Sequence, residues 1–123
     1  MFIKNTYGEF INVRNVIAVE VAENAEGMFL CLYTEKSKMV LIPEDGDLRG
    51  TLDRILYHLR GNGAHIIHLG SYYLVIEAID SILLEAYGMR VYTNNQNFAI
   101  VVSSQDYPAI TETLAKYLPS LDV

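Results

Sequence analysis

Two stretches of this chain share one pattern of apolar and polar residues: FINVRNVIAV over residues 10–19 and YLVIEAIDSI over residues 73–82. A constant offset of 63 sets Ile11 on Leu74, Val13 on Ile76, Val16 on Ile79 and Val19 on Ile82. A chain that writes its hydrophobic programme twice is expected to build the same run of elements twice, so each half constrains the reading of the other.

In the first half a short strand over 2–4 precedes the Tyr7-Gly8 turn. Strands follow at 10–13 and 16–22, joined through the polar Arg14-Asn15 pair. Ile17, Val19 and Val21 alternate with Ala18, Glu20 and Ala22, the period of a sheet with one wet face. The polar segment 23–27 turns the chain into a strand over 28–34, in which Leu30 and Leu32 face one way and Phe29, Cys31 and Tyr33 the other. With both sets apolar, that strand is expected to be covered on both faces. Loop 35–38 leads to a strand over 39–42, stopped by Pro43. An Asp in the run Glu44, Asp45, Gly46, Asp47 caps a helix, because a short carboxylate accepts the orphan first-turn amides and suits the positive helix end. Leu48, Leu52, Ile55, Leu56 and Leu59 fall on one face of that helix, and Gly61-Asn62-Gly63 ends it.

The second half repeats the order: a strand over 64–69, the Gly70-Ser71 turn, strands over 72–76 and 79–86, and a turn at Tyr87-Gly88. That turn is four residues shorter than 23–27, so the offset falls from 63 to 59, as Tyr33 and Tyr92 show. Hairpin loops tolerate such deletions. The loop Glu35-Lys36-Ser37-Lys38 then matches Asn94-Asn95-Gln96-Asn97, and residues 39–42 match 98–101. In the helices Ile55 falls on Leu114 and Leu59 on Leu118. Ser103, Ser104 or Asp106 can cap the second helix, Pro108 fits its first turn, and Pro119 ends it. The fold expected is α+β: tandem ββββα repeats, 1–61 and 64–119, joined at 61–63 within one domain, 1–123, with antiparallel sheets, one helix per repeat and a pseudo-twofold axis.

This element order resembles the tandem PUR repeats and the Whirly-type single-stranded nucleic-acid-binding proteins. The resemblance implies a concave sheet that holds single strands with basic and aromatic side chains. The run Ile11-Asn12-Val13, Asn15-Val16 and an alternating strand also looks like the opening of small bacterial strand-rich modules, including LytTR-type DNA-binding domains.

Charge bears on partners. The net charge of −6 sets a field that repels phosphates and anionic membranes unless basic groups cluster. Residues 1–63 carry seven Lys or Arg against nine acids, and residues 64–123 two against six. The single cysteine, Cys31, leaves no internal disulfide. No apolar run reaches membrane-spanning length and the N-terminus lacks a signal-peptide pattern, so a cytoplasmic protein is expected, with no membrane partner.

The candidate binding face is Arg14, Phe29, Tyr33, Lys36, Lys38, Arg90 and Tyr92. Aromatic residues on an open sheet face stack bases while the cations hold phosphates, whereas packed against one another they only fill a core. No cofactor or metal is expected. His65 and His68, three apart on a strand, face opposite sides, and helix capping accounts for Asp45 and Asp47. Cys31 between Leu30 and Leu32 reads as a buried, inert thiol. No Ser-His-Asp set or phosphate loop is present, and Gly61-Asn62-Gly63 follows a helix where a phosphate cradle precedes one. The leading expectation is a small non-enzymatic interaction module that binds a protein partner or a second copy of itself. The alternatives are a single-stranded nucleic-acid binder of PUR or Whirly type and an enzyme with a dispersed site.

Overall fold

A computed structural model describes residues 1–5, 7–43, 45–86, 88–103 and 105–116, with the backbone alone at Tyr107. Glu44 of the acidic run, Tyr87 of the second hairpin, the Ser104 cap, the Leu118 match and the Pro119 stop lie outside the described residues.

The strands are β1 (Phe2–Lys4), β2 (Phe10–Asn12), β3 (Ala18–Asn24), β4 (Gly27–Tyr33) and β5 (Lys38–Leu41), followed by α1 (Leu48–Gly61). Then come β6 (Ile66–Leu69), β7 (Tyr72–Val75), β8 (Ile79–Glu85), β9 (Gly88–Thr93), β10 (Ala99–Ser103) and α2 (Tyr107–Ala115). A single 3-10 turn separates β2 from β3 at Val13–Asn15, and another separates β7 from β8 at Ile76–Ala78. The Arg14-Asn15 connection is the first of these.

Strand grouping differs from four main strands per half. All pairing is antiparallel, in a two-stranded sheet β1-β2, a five-stranded sheet β5-β4-β3-β7-β6 and a three-stranded sheet β10-β9-β8. The β6-β7 hairpin of the second half adds to β3 of the first, with Ala18 opposite Leu74, Val19 opposite Tyr73 and Glu20 opposite Tyr72. Element order is readable from periodicity; which free edge a hairpin joins is not.

Both faces of the five-stranded sheet are covered. Val19, Leu30, Leu32, Met39 and Leu41 are buried on one face, against the α1 stripe of Leu52, Ile55, Leu56 and Leu59. Each fully buried aliphatic side chain contributes about 1.5–3 kcal/mol. Asp47 caps α1 by accepting from the Gly50 amide at 2.9 Å. The other face, with Ala18, Cys31, Tyr33 and Leu74, receives Phe98 from the segment between β9 and β10. Ala18 has no exposure, so the face expected to be wet is dry along much of its length.

Among the described residues, the three-stranded sheet is covered on one side. Met89, Val91, Ile100 and Val102 point inward with Leu114 of α2 among the buried core. Leu83 and Val101, 46% and 69% exposed, flank Arg90 on the outer face. Gly88 sits where β9 meets β10, and a methyl group there would run into the Val102 carbonyl oxygen. Gly88→Ala is therefore expected to cost about 1–3 kcal/mol in urea unfolding through a backbone shift. Gly61→Ala, where nothing lies within 4 Å, should instead stabilise by about 0.4–1 kcal/mol.

Candidate nucleic-acid interface

Antiparallel register gathers the connections at two ends. One end holds the Val13–Asn15 turn, the β4-β5 loop, the exit of α1, the Ile76–Ala78 turn and the β9-β10 loop. Arg14, Lys36 and Lys38 are exposed there, with Arg60 in the last turn of α1. Glu26, Asp45, Asp47, Glu85 and Asp106 lie at the other end. Glu35 and Glu77 stand among these cations and Asp80 lies at the start of β8 beside them, so the net acidic chain carries a slight local excess of positive charge at this end.

Two hairpin tips at the basic end are fastened together. Asn95 is buried, and its Nδ2 donates to the Thr34 carbonyl at 2.8 Å while its Oδ1 accepts from the Asn97 amide at 2.9 Å. Buried Thr93 completes the tip by donating to the Phe98 carbonyl at 3.0 Å and accepting from the Asn95 amide at 3.2 Å. In the facing loop, the Ser37 amide donates to Thr34 Oγ1 at 3.1 Å. A hollow of about 420 Å³ between the loops is lined by Asn15, Ile17, Thr34, Glu35, Lys36 and Asn94. Sequence matching aligned the loops 35–38 and 94–97 but carried no sign that an Asn of the second clamps the first.

The seven candidate residues fall in three places. Arg14, Lys36 and Lys38 share the basic end. Tyr33 is 7% exposed and stacks on Phe98 at 4.0 Å, while half-buried Phe29 belongs to the same face of β4. Arg90 and Tyr92 stand on the outer face of the three-stranded sheet, where Arg90 Nη2 lies 3.6 Å from Glu85 Oε1 and the half-buried guanidinium leaves its Nε without a hydrogen-bond partner among the described residues. Lys38 links the first two places, since its ammonium lies 5.5 Å from the Tyr33 ring centroid. Tyr33 and Tyr92, matched in sequence, do not share a base-stacking surface.

Between the two larger sheets lies a polar group that the alternating pattern assigned to solvent. Glu20 on β3 sits opposite Cys31 on β4 and Tyr72 on β7, and Tyr33 Oη donates to its Oε1 at 2.9 Å. Burial pushes the Tyr33 hydroxyl well above the ordinary tyrosine range, reinforced by the hydrogen bond to Glu20. Burial and the Glu20 charge raise Tyr72 as well. The Cys31 thiol is raised chiefly by burial, which keeps it protonated and unreactive.

The histidines do not converge. His68 stacks on Tyr73 at 4.2 Å, whereas His65 Nδ1 lies 2.7 Å from Glu77 Oε2 and its amide donates to Glu77 Oε1 at 2.8 Å. Burial opposes ionisation of Glu77, but the His65 hydrogen bonds outweigh it and lower the carboxyl below its ordinary value. Among the described residues no group of three or more His, Cys, Asp or Glu is placed to hold a metal. No helix among them is long and apolar enough to cross a membrane.

No protein-family model matches the chain, and no curated protein sequence matches it. Among solved structures it is similar to the LytTr DNA-binding domain of a Bacillus cereus protein described as a methyl-accepting/DNA response regulator. The TM-score is 0.59 at 17% identity, over 93% of this chain and 94% of that one. This likeness corrects two expectations. PUR or Whirly repeats do not describe the fold, since β3 recruits the β6-β7 hairpin and leaves sheets of two, five and three strands. An interaction module for a protein partner or a second copy likewise gives way, because the solved domain of this architecture is named for DNA binding.

A raised tyrosine pKa stabilises the fold below the ordinary value, near 10, and that contribution is lost as pH rises above it. In an ultraviolet titration of the nine Tyr, Tyr33 and Tyr72 are expected to ionise only as the protein unfolds. Tyr33→Phe should leave one such late group and cost about 1 kcal/mol for the lost hydrogen bond. Early, reversible ionisation of all nine would contradict the half-buried Glu20 cluster. Over 93% of the chain, the fold is similar to that of the LytTr DNA-binding domain.

Proposed function

We propose that this chain is a DNA-binding domain that meets duplex DNA through its basic end. The observation that carries the reading is the fold-wide likeness to a LytTr DNA-binding domain, and the placement of charge selects the end. Arg14, Lys36 and Lys38 project from two neighbouring connections and can neutralise successive phosphates. The acidic turns, with Glu26, Glu85 and Asp106, then point away from the duplex. Counterion release on phosphate neutralisation supplies the favourable term, and the net charge of −6 sets a long-range repulsion against it.

The same reading takes residues 1–123 as one domain of two repeats, 1–61 and 64–119, joined at 61–63. It is supported by the matching order of five strands, one 3-10 turn and one helix in each half. Unequal strand pairing is then the way two copies differ: β3 has neighbours on both edges, and its counterpart β8 pairs with β9 alone. A cytoplasmic location gives such a domain access to DNA.

Fluorescence anisotropy with labelled duplexes tests the reading. Binding at low salt should weaken with a slope of log K on log salt of about −0.9 per phosphate contacted. Arg14→Ala, Lys36→Ala and Lys38→Ala should each lower affinity across all sequences and reduce the slope by about 1. Absence of duplex binding at low salt would overturn the proposal. Equal losses from replacing Glu26 or Asp106 would reject this end as the contact surface.

A further inference from the structure

Eight asparagines are spread along the chain, and Asn62 alone is followed by glycine. The Asn62-Gly63 pair leaves α1 at the end that carries Arg14: both residues are exposed, Gly63 has a φ of +90°, and a methyl group built on it would meet nothing within 4 Å. The amide nitrogen that follows an asparagine can close a five-membered ring on the side-chain Cγ, and glycine, having no Cβ, leaves that approach unhindered. The end of α1 restrains both partners of such a reaction. Asn62 Nδ2 donates to the His58 carbonyl at 3.1 Å, and the Gly63 amide donates to the Arg60 carbonyl at 3.0 Å. Both acceptors belong to the last turn of α1, and helix ends open locally at far lower cost than a core. Asn62 also lines one hollow together with Arg14 and Glu77.

We propose that Asn62-Gly63 is a self-modification site: when the end of α1 opens, Asn62 loses its side-chain amide as ammonia, and the carboxylate left behind weakens the contact with DNA. The effect on DNA rests on the DNA-binding reading above; the reaction itself does not. In the first step the Gly63 nitrogen gives its proton to water and bonds to Asn62 Cγ, while the Cγ–Nδ2 bond breaks and Nδ2 takes a proton from water and leaves as ammonia. Water then opens the cyclic imide at either carbonyl, leaving one carboxylate and releasing one proton. Ammonia is lost to solvent, so the change accumulates with the age of the molecule. The new carboxylate has three consequences. It has no hydrogen to donate to the His58 carbonyl, and it faces the negative end of the α1 dipole, so the cap loosens. It also stands beside Arg14, at an end whose excess of positive charge is slight, and so removes a large share of the attraction for phosphates.

Incubation of the full chain in heavy-oxygen water at neutral pH, followed by peptide mass mapping, tests the site. Asn62 should convert ahead of every other asparagine, retaining heavy oxygen at that position. The chain unfolded in urea should convert faster, because the hydrogen bonds that hold Asn62 Nδ2 and the Gly63 amide are gone. Asn62→Gln, whose longer side chain closes a larger ring slowly, should resist conversion and bind duplex as the parent does. Asn62→Asp should bind all duplexes about threefold to tenfold more weakly, with a salt slope shallower by about 1, and should melt a few degrees lower. Conversion spread evenly over the asparagines, or none at Asn62 in the folded chain while the unfolded chain converts, would overturn the site. Duplex binding by Asn62→Asp equal to that of the parent would overturn its effect on the contact and leave the DNA-binding proposal standing. No duplex binding by the parent would overturn that proposal and the effect on affinity together, while mass mapping still decides the reaction.

Discussion

The structure depends on β3 being hydrogen-bonded along both edges. Its own half supplies β4, and the other half supplies β7 through the Ala18–Leu74, Val19–Tyr73 and Glu20–Tyr72 pairs. Without the second pairing, the β6-β7 hairpin would be an isolated two-stranded ribbon, which is marginal in water. With it, five strands form one sheet broad enough to bury side chains on both faces. The covering layers follow: α1 lies on one face, and the segment around Phe98 closes the other.

Local order was legible in the sequence and the closing of the sheets was not. Period-two alternation marked β3, the doubly apolar run 28–34 marked β4, and an Asp cap within 44–47, which the structure assigns to Asp47, marked α1 together with its leucine stripe. These signals arise within a few residues, where backbone sterics and side-chain direction decide the outcome. The joining of β7 to β3 is a contact between distant segments, and nothing in either strand names its partner edge. Glu20 shows the consequence. Read as a wet-face residue, it sits at the seam between two sheets, tolerated because Tyr33 supplies a hydrogen bond.

The candidate site was legible in part for the same reason. Arg14, Lys36 and Lys38 stood out as scarce cations, and the fold brings them to one end. Tyr33 and Tyr92 stood out as matched aromatics, yet one is core and the other lies on an outer face, because Phe98 covers Tyr33 on β4 and nothing among the described residues stacks on Tyr92. The match of Cys31 with Arg90 at an offset of 59 in the sequence already held this asymmetry: a thiol suits the covered position and a guanidinium the outer one. Asn95 was invisible as anything more than a turn former, since its function lies in a carbonyl far away in the chain.

That clamp also sets an order in time. Thr34 and Asn95 are 61 positions apart, so their hydrogen bond closes only after most of the chain exists. During synthesis the first half can form α1 and the β3-β4-β5 meander early, since those contacts are local. β3 must then wait, with one edge bare, for β7, and the two loops at the basic end must wait longer still for residue 95. A ribosome-bound fragment that ends before β10 therefore lacks a finished basic end, however well its first half has folded. Assembly of that surface waits on synthesis through residue 95.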